Sequence, residues 1–396
     1  MIDRHRPAAQ EPGPPAPRAP AQQARARWCS GARAVRMGAS GVRAVGGDGE
    51  WTGRYARAVS PRGRITLHGL ALALGAALVW QMLVGGGAGG LPHDVWQQVL
   101  GRRADRAVTS ALVGGSLGAA GVILQAMLRN PLASPDVLGP SAGASLGVLV
   151  SALVFGVAPG AWWSAGPATA GAVLTLGLLL LLAQRRGRID PAGLILVGVT
   201  ISVMAGALCA AAQQALAARG LLTPGPWAVV GSIRDGLPRW MIAAGAASSA
   251  ACLAVALATA RWADTAALPE DEARAAGVPI GLLRGGQVVS AGLLTGTAVV
   301  LAGPIGFVGL VGPHAARLAL GPGYGRHALA LSGRWLGPHA VHLIASTLAG
   351  GALVAAADAA VRAVQTPGGR LPVGVLTAII GGPVLVALVR SQPRAA

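Results

Sequence analysis

VLGPSAGASLGVLVSALVFGVAPGAWWSAGPATAGAVLTLGLLLLLAQ, residues 137 to 184, runs for 48 residues without one Asp, Glu or Arg. A helix that crosses a bilayer uses about 20 apolar residues, so this run is too long for one span and reads as two helices that turn near Pro159-Gly160. Other stretches poor in charge continue the pattern on both sides: 65 to 101 (interrupted by Asp94), 107 to 128, 191 to 218, 240 to 260, 285 to 316, 335 to 357 and 371 to 389. The 285 to 316 stretch has to turn near Gly303-Pro304 for the same reason. The sum is ten spans, which predicts an all-α, polytopic membrane protein.

Composition excludes the soluble classes. Of 396 residues 53% are apolar, 12% charged and 4% aromatic, with 60 Gly and 27 Pro. A soluble domain carries about a quarter charged residues. All 32 basic residues are Arg and none is Lys. A phosphate-binding P-loop and a Schiff base both need a Lys, so this chain carries neither, and any ATP would be hydrolysed by a partner. Cys29, Cys209 and Cys252 are far apart and offer neither a disulfide framework nor a CxxC metal site. GGGAGG at 85 to 90 fits a dinucleotide fingerprint only formally, because no strand precedes it.

Residues 1 to 64 read as a disordered tail rich in Arg, Pro and Ala. Up to residue 66 there are 12 Arg against Asp3, Glu11, Asp48 and Glu50, with no apolar period. Met37 is an alternative start. The tail lacks the interleaved aromatics of a nucleic-acid arm, so no nucleic-acid partner is expected. With the tail inside, ten spans put both termini in the cytoplasm of a multi-pass plasma-membrane protein. The Arg outside the tail then divide 12 inside to 8 outside, the expected but modest bias. The outside Arg therefore need a separate reason. Asp358 is the acid this reading buries in a span, one turn before Arg362; an unpaired carboxylate there costs about 3 kcal/mol, so it should orient Arg362 or a facing helix.

Five blocks carry more. They are Arg103-Ala104-Asp105-Arg106 leading into SALVGGSLGAAGVILQAMLRNPLASPDVLGPSAGASLG, then LILVGVTIS, LPEDEARAAGVPIGLLR, GPIGFVGLVGPHAARL and LPVGVLTAIIGGP. In Leu268-Pro269-Glu270-Asp271-Glu272-Ala273, Pro opens a short helix with three acids in its first turn, as the helix dipole favours. Asn130-Pro131 forces a turn after Gln125 and Arg129. His314 and Arg317 lie one turn apart. No second ligand accompanies His314 at a useful spacing, so no metal site and no resident cofactor are expected. Gly114 with Gly118, and Gly303, Gly306, Gly309 and Gly312, are small residues that let helices approach closely.

In order and spacing these blocks resemble the FecCD-type permeases, the membrane subunits of binding-protein-dependent, ATP-driven importers of iron-siderophores and cobalamin, over roughly residues 65 to 390. The resemblance implies a transport subunit without enzymatic activity of its own, in the permease fold of type II importers. It implies two ATP-binding subunits, a periplasmic or lipid-anchored substrate-binding protein, and a second permease copy or paralogue. Within the loop 261 to 284, Leu268, Pro269, Glu270, Glu272, Ala273 and Gly277 would seat on the ATPase. Arg103, Arg106 and Arg362 would dock the binding protein. Gln125, Asn130, Pro131, Gly306, Gly309, Pro313, His314 and Arg317 would pack around the translocation path. The chain departs from the family pattern at Ala104-Asp105, in an enlarged loop over 321 to 337, at Val384-Leu385 and at an apolar Pro191-Ala192. The favoured substrate is a ferric siderophore; the alternatives are cobalamin or haem in the same class, and an ion-coupled secondary transporter in another.

Overall fold

The computed structural model describes residues 62–84, 93–156, 162–185, 188–189, 191–221, 230–321, 337–364 and 371–391. The tail up to 61, Pro159-Gly160 and most of the enlarged loop lie outside them. Among the described residues ten longer helices follow one another: α1 (Arg62–Leu83), α2 (His93–Leu128), α3 (Pro140–Phe155), α4 (Ala165–Leu182), α5 (Pro191–Ala218), α6 (Arg239–Ala258), α9 (Ile280–Ala302), α10 (Val308–Leu320), α11 (Pro338–Ala363) and α12 (Val373–Ser391). Two short helices, α7 (Ala260–Thr265) and α8 (Glu270–Ala275), fill the connection before α9. One two-residue strand pair, Gln184–Arg185 with Arg188–Ile189, closes the turn between α4 and α5. Among the described residues six helices are long and apolar enough to cross a membrane by themselves: α2, α4, α5, α6, α9 and α11.

α2 is the axis of the bundle. Its apolar window is 83% buried, against 28% for those of α4, α5 and α6, which makes it a helix wrapped by protein rather than by lipid. Glycine permits this. A Cβ at Gly114, Gly118 or Gly121 would fall 2.2 Å from the Gly350 carbonyl oxygen, 2.4 Å from that of Ser346 and 1.9 Å from that of Gly309. These glycines share one face at helical spacing, so α10 and α11 approach α2 backbone to backbone. Ile123, Leu124, Leu176, Leu194 and Leu294 fill the space around that seam. α2 is also longer than its charge-free stretch. It begins at His93 rather than at Arg103, and 36 residues extend about 54 Å, well beyond a 30 Å hydrocarbon core.

α3 and α10 are shorter than full spans. With 16 and 13 residues they extend about 24 and 20 Å. Each is preceded by non-helical chain, residues 129–139 before α3 and 303–307 before α10. Gly303 and Gly306 therefore belong to an elbow and not to a helix face, while Gly309 and Gly312 keep the expected role against Leu117 and Gly350.

Candidate functional site

At one end of the bundle the loop that carries α8 is held by arginine. Pro269 opens α8 with Glu270, Asp271 and Glu272 in its first turn, and Gly277 closes the loop with φ 85°. Ala273 is buried against Val278, Ile280 and Leu283, which anchors the loop on the start of α9. Glu270 accepts hydrogen bonds from Arg274 at 2.6 Å and from Arg284 at 3.0 Å. Burial, the largest single influence, pushes the Glu270 carboxyl up, but Arg284, Arg274 and Arg129 together outweigh it and hold the carboxyl below its ordinary value. Glu270 is thus an internal clasp, and the outward-facing acids are Asp271 and Glu272, both exposed. Leu268 is exposed beside them. Arg129 donates to the carbonyl oxygens of Ala266 and Leu268 and so ties the end of α2 to this loop. A third tie comes from Asp264, which accepts the His339 backbone N–H at 2.9 Å. Burial raises the Asp264 carboxyl against the pull of that donor.

The segment 129–139 leads inward from there. Asn130 Oδ1 accepts from the Leu132 N–H at 2.9 Å, a side chain mimicking a backbone turn at Asn130-Pro131. A Cβ at Gly198 would meet Leu138 at 3.1 Å, and one at Gly139 would meet Ile201 at 3.1 Å. Gly198 and Ile201 lie seven and ten residues into α5, so the segment reaches about 10 to 15 Å along α5 from its first turn. Backbone of this kind persists within a bilayer only where protein covers it. Asp136 sits there. Its Oδ2 accepts the Phe307 backbone N–H at 2.9 Å, and its Oδ1 accepts from the Ser134 hydroxyl. Asp136, which the sequence reading did not single out, lies on this non-helical chain between α2 and α3. Nearby, Arg317 donates to Gln125 Oε1 at 2.8 Å, linking α10 to α2. The Gln125 amide nitrogen is buried without a hydrogen-bond partner among the described residues. His314 is half-buried on α10. A His342 ring nitrogen lies 3.0 Å from the Pro313 carbonyl oxygen.

At the opposite end Asp358 is fully buried. Its partner is Arg106 on the facing helix, with contacts of 2.6 and 2.9 Å, and Gln81 donates to it at 2.7 Å. Of the two partners expected for Asp358, the facing helix holds and Arg362 does not. Arg106 also reaches Asp235 at 2.5 Å. Arg103 donates to the Met82 carbonyl oxygen at 2.7 Å, and Arg362 to those of Gln81 and Val84 at 3.3 and 2.8 Å. The last carbonyls of a helix have no helical partners, and two guanidinium groups supply them at the end of α1. Arg103, Arg106 and Arg362 thus meet at one rim, as the sequence suggested, with internal partners it did not show. Gln81 and Asp235 escaped the reading, because neither stands in a recognisable pattern. On the same rim Arg239 is 75% exposed and pairs with Asp105 at 3.1 Å.

An arginine-clasped loop between spans, an α2 core and a family pattern over residues 65–391 coincide: the FecCD transport family matches that whole range. The chain belongs to this family. Among its FecCD relatives, the cobalamin import system permease protein BtuC of Halobacterium salinarum is 33% identical over 310 residues, covering 76% of each chain. The ferric enterobactin transport system permease protein FepG of Escherichia coli is 34% identical over 77% of this chain and 86% of its own. The Fe(3+)-citrate import system permease protein YfmE of Bacillus subtilis is 30% identical over 83% and 93%. A solved metal-chelate type ABC transporter in an inward-facing conformation superposes with a TM-score of 0.62 at 25% identity, covering 83% of this chain and 99% of that one. This FecCD chain is a permease subunit of an ABC importer, an integral membrane protein with several spans.

Proposed function

We propose that the permease imports a ferric siderophore across the plasma membrane, with both termini in the cytoplasm. Two ATP-binding subunits seat on the loop Leu268 to Gly277, and a second permease copy or paralogue completes the path. The observation that carries this reading is the clasped loop: acids face outward from α8, which is tied to α2 and α9, while the preceding α7 is tied to α11, so a push on the connection reaches three spans. ATP binding and hydrolysis in the partners would move the loop, and the spans would tilt to open the path on one side at a time. Iron travels as cargo inside its chelate. Two of the named relatives carry iron chelates in their names and one carries cobalamin.

The substrate-binding protein docks on the rim that Arg103, Arg106 and Arg362 shape. Arg103 and Arg106 are buried and Arg362 half-buried against partners within the chain. The charge presented to the binding protein therefore comes from Arg102, which is exposed one position before Arg103, and from Arg239, which stays 75% exposed while it pairs with Asp105. The test is reconstitution in liposomes with the ATP-binding subunits and the binding protein. ATP-dependent accumulation of ferric enterobactin or ferric citrate is expected. Accumulation of cyanocobalamin alone would move the substrate to the cobalamin class. Uptake driven by an ion gradient without the ATP-binding subunits would overturn the importer reading.

A further inference from the structure

Among the described residues only two that are not glycine hold a positive φ, Arg129 at 49° and Phe307 at 65°. Side chains resist this conformation, and it clusters where a structure stores strain for a function. Both residues belong to one chain of contacts. Arg129 grips the carbonyls of Ala266 and Leu268 in the loop around α8. Residues 129–139 then run up beside α5 with Pro131 and Pro135 stiffening the way. At the top, Asp136 takes the Phe307 N–H at 2.9 Å. Pro135 is wedged so closely against α10 that a Cβ at Gly309 would lie 2.5 Å from its Cδ. The Phe307 side chain in turn lies on α12, where a Cβ at Gly381 would fall 2.1 Å from the Phe307 Cβ.

We propose that residues 129–139 form a connecting rod that passes the displacement of the α8 loop to the Phe307 elbow and α12, with Arg129 and Asp136 as its two positioning residues. This rests on the importer reading above. Seven positions along the chain separate the strained backbone of Arg129 from the half-buried Asp136 carboxylate that holds the strained backbone of Phe307. The rod has few soft joints: Arg129 fixes its foot, two prolines restrict its φ angles, and Asp136 with Pro135 fixes its head. Asp136→Ala removes the head joint and leaves the foot. Asp136→Asn keeps a carbonyl oxygen able to accept the Phe307 N–H, and so preserves the link without the charge.

The test is double electron-electron resonance on the full complex in nanodiscs, between nitroxides at Ile379→Cys on α12 and Leu72→Cys on α1, both exposed positions. A Cys29→Ser background is used, since Cys209 and Cys252 are buried. Comparing the nucleotide-free with the vanadate-trapped complex, the wild type is expected to shift its distance by at least about 2 Å, the scale of helix movements at interfaces. Asp136→Ala should abolish that shift while the ATP-binding subunits still hydrolyse ATP. Asp136→Asn should restore at least half of it, and Arg129→Ala should reduce it. A full shift in assembled Asp136→Ala complexes would overturn the rod and leave the importer reading standing. Should Asp136→Ala fail to assemble, a full shift in Arg129→Ala would overturn it equally. A wild-type complex that takes up substrate without any shift would overturn the rod, whereas one that takes up none would overturn the importer reading.

Discussion

Where Arg106 meets Asp358, their side chains are 7% and 0% exposed, whereas at the other end Arg274 meets Glu270 at 63% and 35%. The chemistry is the same, a guanidinium against a carboxylate, and the N–O distance is 2.6 Å in both. Burial separates their effects. A buried pair has already lost its water, so removing one partner costs about 3 to 5 kcal/mol where the other is left stranded; Asp235 still faces Arg106, which puts the loss of Asp358 toward the lower end. An exposed pair regains water when broken and contributes about 0 to 1 kcal/mol. The first arrangement suits a rim that has to keep its shape. The second suits a loop that has to yield when a partner pushes on it.

The sharpest way to break this contrast is Asp358→Ala. It should lower the folded, membrane-inserted fraction severely, read as detergent-solubilised monodisperse protein and as its thermal midpoint. The double change Arg106→Met with Asp358→Leu should recover much of the loss, because an apolar pair strands no charge. A single change as mild as one at Glu270 would end the comparison.

An intermediate effect is expected at the clasp. Glu270→Gln should leave folding within about 1 kcal/mol of wild type, yet weaken the coupling of ATP hydrolysis to uptake, measured as substrate accumulated per ATP consumed. Acid should mimic it. The folded-state value of Glu270 lies below its unfolded value, so the clasp is fully formed at neutral pH and is lost as pH falls through the folded value. Coupling in Glu270→Gln should lack that acid-dependent fall. Gly277→Val adds the strain of a left-handed β-branched residue, about 1 to 2 kcal/mol, and should perturb the same ratio.

The smallest expected effect on stability is at Arg239, paired with Asp105 in the open. Arg239→Ala should leave the thermal midpoint unchanged. Arg102→Glu with Arg239→Glu should instead weaken binding of the substrate-binding protein about tenfold at low salt and much less at moderate salt, since screening removes exposed charge effects first. An unchanged affinity at both salt concentrations would release this rim from docking.

Reading the chain alone located each of the ten long helices, because lipid leaves the backbone little choice: apolar length and Gly or Pro turns declare each span. Gly114 and Gly118 were legible as close-packing sites for the same reason, since a missing side chain shows in the sequence. What lay across those contacts was not. Asp358 was visibly a buried acid in need of a cation, but the choice between Arg362 on its own helix and Arg106 on α2 depended on how α11 faces α2. Asp136 was not singled out, because a sequence does not show that the non-helical segment 129–139 folds back against the Phe307 elbow. Helix identity is set by local hydropathy and backbone hydrogen bonding, which a sequence contains. Partner choice is set by the approach of chain segments far apart in sequence, and only the assembled bundle determines that.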